Sequence, residues 1–165
     1  MTPLQSKALE IAAAAIGVKE DPLGSNRGPE VDQYLRSVGL DPAGHYPWCA
    51  AFAYWCFWKS AAQLATGAEY RFPIPNPCPR TGSALGLWNH SRPEWRSNAP
   101  TVGAVFVLDF GHGTGHVGFV ESIEGAWLTT IEGNSNEGGS REGIGVFRRK
   151  RATASINRGF LNFGA

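Results

Sequence analysis

The 165-residue chain is poor in cysteine, with three, and holds a single methionine. Three cysteines cannot close a disulfide framework, because one is always left over, so at least one thiol stays free and the fold rests on its core. An excess of either charge is also missing: 15 Lys and Arg against 14 Asp and Glu leave a net charge of +1. That balance excludes the strong basic surplus of a protein built mainly to bind nucleic acid. No apolar run approaches the ~20 residues that span a bilayer, so membrane insertion is not expected. The opening MTPLQSKALE lacks a basic n-region, and Lys7 and Glu10 interrupt its apolar positions, so it does not read as a secretory signal.

What is present suits one globular domain. Hydrophobic residues make up 42% and charged residues 18%, while 21 glycines and 11 prolines call for many turns. Leu4, Ala8, Ile11, Ala12, Ala15 and Ile16 keep helical spacing up to Gly17. A second short helix is predicted over Glu30–Ser37, with Val31, Tyr34, Leu35 and Val38 inward, and a third and most apolar one from residue 49 to about 65. From Gly67 to Pro100 the chain reads as loop, interrupted by a short helix around Ser83–Asn89. After Pro100 the period changes. Val102–Phe110, His116–Ile123, Trp127–Asn134 and Gly143–Arg149 are β-rich runs between glycines, and Phe160–Phe163 is a candidate closing strand. Helices first and an antiparallel sheet afterwards is the α+β arrangement.

The third helix begins at Cys49, directly after Pro47 and Trp48. A thiol at a helix N-terminus meets unpaired N–H groups and the positive end of the macrodipole, which favour the nucleophilic thiolate. Cys56, mid-helix between Trp55 and Phe57, is better explained as a small buried hydrophobe, and Cys78 in Pro77-Cys78-Pro79 has no helix end or base nearby.

A thiolate needs a base, and the base an orienting group. Of His45, His90, His112 and His116, only His116 opens a strong strand pattern, HVGFVESI, after the turn GHGTG. In TIEGNSN, Glu132 and Asn134 stand two apart on one face of a strand, with Gly133 facing away. A three-residue turn at Glu124-Gly125-Ala126 would pair Ile123 with Trp127. His116 then lies opposite Asn134, with Glu132 on the diagonal of the same face. Val117, Phe119, Ile123, Trp127 and Ile131 would share the other face, and a one-residue slip would separate His116 from both polar partners. The competing reading is a hairpin with an ordinary solvated face.

PWCAAFAYW, GHVGFV and IEGNSN, in this order, resemble the CHAP family, the cysteine- and histidine-dependent amidohydrolases/peptidases of papain-like fold. The upstream stretch GVKEDPLGSNRGPEVDQYL and the downstream EGGSREGIGVFRRKR extend the resemblance to roughly residues 15–163. It implies Cys49 as nucleophile, His116 as general base and then acid, Glu132 as orienting group, and Asn134 as an aid to the histidine or to binding. It implies cleavage of amide bonds in bacterial peptidoglycan, between muramic acid and alanine or within the stem peptide and cross-bridge, as in a phage endolysin or a bacterial lysin. No cofactor is expected. The aspartate run that binds calcium in some members is reduced here to Asp41 in SVGLDPAGHYPWC, so no metal is expected either. Residues 1–165 are expected to form one catalytic domain, a monomer with no separate cell-wall-binding domain. Recognition would then fall to Trp48 and Tyr46, with Trp88 and Trp95 of the long loop as further aromatic candidates. The basic run Arg148-Arg149-Lys150-Arg151 suits an anionic envelope as well as it suits a solvated strand end. Synthesis in the cytoplasm and delivery to the wall by a holin-type pore or a secretion system is the matching route.

Two other readings stay open. One is a zinc hydrolase using His112, His116 and a cysteine, although a glycine turn is a poor scaffold for tetrahedral ligation. The other is a non-catalytic wall-binding module that keeps the fold.

Overall fold

The computed structural model describes residues 1–66, 75–136 and 143–164. The first part of the expected long loop, 67–74, and the segment EGGSRE at 137–142 lie outside the described residues. Helix α1 (Pro3–Ala14) opens on a capping box: the Thr2 hydroxyl accepts from the Gln5 N–H and the Gln5 side chain answers the Thr2 N–H. Helix α2 (Pro29–Ser37) starts with proline at its first position, as a pre-set φ allows, and buries Val31, Tyr34 and Leu35. Helix α3 (Cys49–Ala65) is the central one, with α1 and α2 packed on it. Helix α4 (Ala84–His90) is capped by the Ser83 hydroxyl, one residue later than the expected span.

Six strands follow: β1 (Arg96–Ser97), β2 (Val105–Gly111), β3 (Thr114–Glu124), β4 (Trp127–Ser135), β5 (Gly145–Ala152) and β6 (Gly159–Leu161). All neighbours are antiparallel, in the order β1-β6-β2-β3-β4-β5. The expected closing strand is thus an inner one. β6 lies between β2 and β1, and β1 is a two-residue strand inside a stretch that reads as loop in the sequence. One face of the sheet contributes Val105, Val107, Val117, Phe119, Ile131, Val146 and Leu161 to the core shared with the helices. The other gathers Ala104, Phe106, Leu108, Val120, Leu128 and Phe160 in a second cluster.

The β3–β4 hairpin corrects the expected register. Its connection is the two residues Gly125 and Ala126, so Glu124 pairs with Trp127 and Ile123 with Leu128, not with Trp127. A bulge at Glu121 then takes up one residue, and at Val120–Thr130 and Phe119–Ile131 the pairing is the one expected; the ladder ends there, short of His116 and Asn134. Val117, Phe119 and Ile131 accordingly face the helices. Ile123 does not: the odd residue moves it to the Leu128 side, and it and Trp127 are exposed at the hairpin tip. The β2–β3 turn is His112-Gly113, both at positive φ, which makes His116 the third residue of its strand rather than the first.

What brings α3 close to the sheet is Gly133. A Cβ built there would lie 2.7 Å from Phe52 Cδ1 and 2.8 Å from Trp48 Cζ3, so the ring contacts of α3 require a bare backbone on β4. Gly133→Ala is therefore expected to lose about 1–3 kcal/mol through overpacking. Urea denaturation would measure it. An unchanged midpoint would mean that the two rings can move aside without cost.

Candidate active site

Cys49 is the first residue of α3, and the residue before it fixes the helix end. Trp48, expected to take part in substrate recognition, is fully buried, and its indole N–H donates to Glu20 Oε1 at 2.8 Å. The Glu20 carboxylate is itself buried and accepts a second bond, from the Asn26 N–H to Oε2 at 3.0 Å. An indole this large goes inside when its one N–H finds an acceptor there, and Glu20, in a polar stretch 28 residues upstream, supplies it. Trp48 thus belongs to the mounting of the thiol and offers no face to a ligand. Tyr46 is exposed, but Pro47, not Tyr46, reaches the cavity at Cys49. Trp88 and Trp95 are partly buried against the core, and neither lines that cavity.

The cavity has a volume of about 500 Å³ and is walled by Cys49, His116, Asn134, Ser135, Leu108, Phe110 and others, with Arg149 and Arg151 on one side. His116 enters from β3, where it pairs across to Leu108 of β2. Its Nε2 is 2.8 Å from Glu132 Oε2, which leaves Nδ1 as the nitrogen that meets the Cys49 thiol. Gly118, two residues on and on the same face, keeps this space open: a Cβ there would meet Glu132 Cγ at 2.7 Å.

Burial by itself pushes the Cys49 thiol up. The hydrogen bond and charge of His116, with the N–H groups of Val117 and Ala50 directed at the sulfur, outweigh it and bring the thiol below its ordinary value. Burial pulls His116 down, but the bonds and charges of Cys49 and Glu132 prevail and raise it to about 9. Cys56 and Cys78, equally buried but without such partners, are pushed well above the ordinary range. The contrast between Cys49 and Cys56, about two turns apart on the same helix, is the contrast between a thiolate site and inert packing.

Glu132 is completely buried. Besides His116 it accepts from Arg151, Nε to Oε1 at 2.6 Å and Nη2 to Oε2 at 2.7 Å, and from the Thr130 hydroxyl to Oε1 at 2.6 Å. Arg151 is a member of this site that sequence reading places only in a basic run. Its signal was faint: it stands 19 residues from Glu132, on a strand whose register against β4 no local pattern gives. Burial would raise the Glu132 carboxyl, but the Arg151 bonds and the imidazole hold it down at about 2.

Asn134 lines the cavity, but not by simple alternation from Glu132. The β4–β5 pairing breaks between Glu132 and Ser135, Asn134 has a left-handed φ of 54°, and its Oδ1 is buried with no hydrogen-bond partner among the described residues. His112 is exposed in the hairpin turn, apart from His116. Asp41 caps the short turn Pro42–Gly44 by accepting from the Ala43 N–H at 3.0 Å.

A helix-mounted thiol against an antiparallel sheet that carries a carboxylate-backed imidazole defines the papain-like class of α+β proteins. The CHAP domain family model matches residues 41–134, more than half of the chain and the span that holds Cys49, His116 and Glu132. The chain belongs to the CHAP family. A search of curated proteins finds no match. Among solved structures, the crystal structure of Ly7917 is similar at 21% identity with a TM-score of 0.49, covering 95% of this chain and 59% of that one. The crystal structure of Ly7917 with the hydrolyzing product of MDP is similar at 19% identity and a TM-score of 0.48, covering 95% and 60%. The chain therefore spans about three-fifths of the length of those solved chains.

A carboxylate whose folded-state value is depressed stabilises the native state above its ordinary range, and that contribution disappears as pH falls. For Glu132 the window runs from 4.5 down to about 2. Between pH 5 and pH 3 its share of the stability loss should be about 2 kcal/mol. Urea midpoints at the two pH values should differ less in Glu132→Gln than in the unaltered protein. Equal differences would place the acid sensitivity elsewhere.

Proposed function

We propose that this protein hydrolyses an amide bond of bacterial peptidoglycan, as a muramoyl-alanine amidase or a stem or cross-bridge endopeptidase, through a thioester on Cys49. The observation that carries the reading is the pairing of a thiol brought below its ordinary range with an imidazole raised to about 9, at the wall of an open cavity. Membership of the CHAP family supports peptidoglycan as the substrate.

In the acylation step the Cys49 thiolate attacks the amide carbonyl carbon, a C–S bond forms, and the electron pair moves to the carbonyl oxygen. The N–H of Cys49, at the first position of α3 and without an intrahelical acceptor, is the natural first donor to that oxyanion. The oxyanion collapses, the C–N bond breaks, and His116 passes its proton to the departing amine nitrogen. Neutral His116 then takes a proton from water. The hydroxide attacks the thioester carbonyl carbon, the resulting oxyanion collapses, the C–S bond breaks, and the Cys49 thiolate leaves beside the imidazolium that the water proton has restored. Glu132 stays ionised throughout, presents Oε2 to Nε2 and stabilises the imidazolium. Asn134, which lines the cavity, assists at the histidine or in binding. Cytoplasmic synthesis followed by holin-type or secretion-system delivery to the wall goes with this reading.

A zinc hydrolase has less support. His112 stands apart in a turn, and both ring nitrogens of His116 are engaged, by Cys49 and Glu132. A pure binding module has no use for a polarised thiol.

Digestion of purified peptidoglycan with mass spectrometry of the fragments tests the proposal. Stems freed from the sugar would mean amidase, and shortened stems endopeptidase. Cys49→Ala should abolish release, and cleavage at the unaltered rate would sink the mechanism. A second outcome follows from protonation. Hydrolysis should fall as pH rises through about 9, where His116 loses the proton the leaving amine needs, while iodoacetamide alkylation of Cys49 should persist above it. Parallel decline of both rates would mean that the limb belongs to another group.

A further inference from the structure

Strand β5 presents its cations unequally. Arg149 and Arg151 stand two apart, so their side chains leave the same face, and both line the cavity that holds Cys49, His116 and Asn134. The charge of Arg151 is matched by Glu132, which it grips with two nitrogens. The other two members of the run look elsewhere: Arg148 pairs with Glu121 through Nε at 2.6 Å, and the Lys150 ammonium lies 5.5 Å from the centre of the Trp127 ring. Arg149 is different. Its Nη1 donates to the main-chain carbonyl of Asn136, a neutral acceptor, and among the described residues no carboxylate forms an ion pair with it.

The charges of the cavity then sum simply. Among the described residues a Cys49 thiolate and a His116 imidazolium cancel, Glu132 and Arg151 cancel, and the Arg149 guanidinium is left. It is half-buried rather than fully solvated, with donors to spare after one bond to a carbonyl. A planar fork of N–H donors matches a carboxylate in two-point geometry, whereas a carboxamide turns an NH₂ donor toward the same fork.

We propose that Arg149 anchors a carboxylate subsite, so that the preferred ligand is a peptide amide bearing a free carboxylate close to the scissile bond rather than its amidated counterpart. The assignment deepens the hydrolase reading and rests on it for the position of the scissile bond. It names the side chain that would separate acidic from amidated stem peptides. Arg149 has an alternative duty, to pin the chain at Asn136, and that duty would affect both ligands alike.

Two muramoyl peptides identical except for a free or an amidated side carboxylate at the residue next to the amide are the probes. Their affinities are measured by calorimetry on Cys49→Ala, which cannot turn them over. The acid should bind about tenfold or more tightly than the amide. In Cys49→Ala/Arg149→Gln the ratio should fall to near one, mainly by weaker binding of the acid, and Arg149→Lys in the same background should keep part of it. Equal affinity of the two peptides for Cys49→Ala overturns the subsite, as does a ratio that survives Arg149→Gln, or a loss shared equally by both peptides. Cleavage of the acid peptide by the unaltered protein is scored separately. If it binds with the expected preference but is not cut, the subsite stands and the hydrolase reading fails.

Discussion

A fully buried carboxylate has to be compensated where it stands, because the cost of stripping its water is several kcal/mol. Glu132 is such a group, and the second half of the fold is arranged around it. Arg151 of β5 meets both oxygens, Thr130 of its own strand meets Oε1, and His116 of β3 meets Oε2. Three adjacent strands therefore contribute to one carboxylate. The compensation also sets its charge: held low by Arg151, Glu132 remains an anion that the imidazolium can lean on. Arg151 also lies over the Phe106 ring at 5.3 Å, so the guanidinium is fixed on its apolar side as well.

The first half of the fold has the matching task of presenting a thiol at the right depth. Trp48 and Phe52 press the start of α3 onto the bare backbone of Gly133, and the Trp48–Glu20 bond ties that end to the chain upstream. The same glycine lies between Glu132 and Asn134, so one residue whose missing side chain admits the helix also separates the two that face the cavity side. Nucleophile and base approach through this contact, with the N–H of Val117, next to His116, directed at the sulfur. Helix, sheet and ionisation are coupled at a single place.

Much of this was legible in the residues. Helices α2 and α3 declared themselves by apolar spacing, and His116 with Glu132 by the parity of two strands. The hairpin shows why such inference succeeds even with a wrong local detail. The turn is one residue shorter than expected, yet the bulge at Glu121 restores the pairing before it reaches Phe119, because the buried face of Val117, Phe119 and Ile131 tolerates no slip. Ile123, beyond the bulge and outside the core, was free to go the other way. Trp48 was misplaced because a tryptophan reads alike on a surface and in a core until the partner of its N–H is known. Arg151 was missed for a related reason: a run of four basic residues looks uniform until the register of β5 sends each to a different neighbour.

By itself the sequence determined what depends on neighbours along the chain: which segments are helix or strand, which end of a helix carries a thiol, and which residues share a face. These follow from backbone period and helix-end electrostatics, and both are local. The tertiary structure alone decided what depends on partners far apart in the chain. It put Glu20 under Trp48, gave Arg151 to Glu132, and set Arg149 on the cavity wall with a carbonyl and no carboxylate partner among the described residues. Whether a charge is neutralised or available is a property of what lies within a few ångströms in space, and no spacing in a sequence records that.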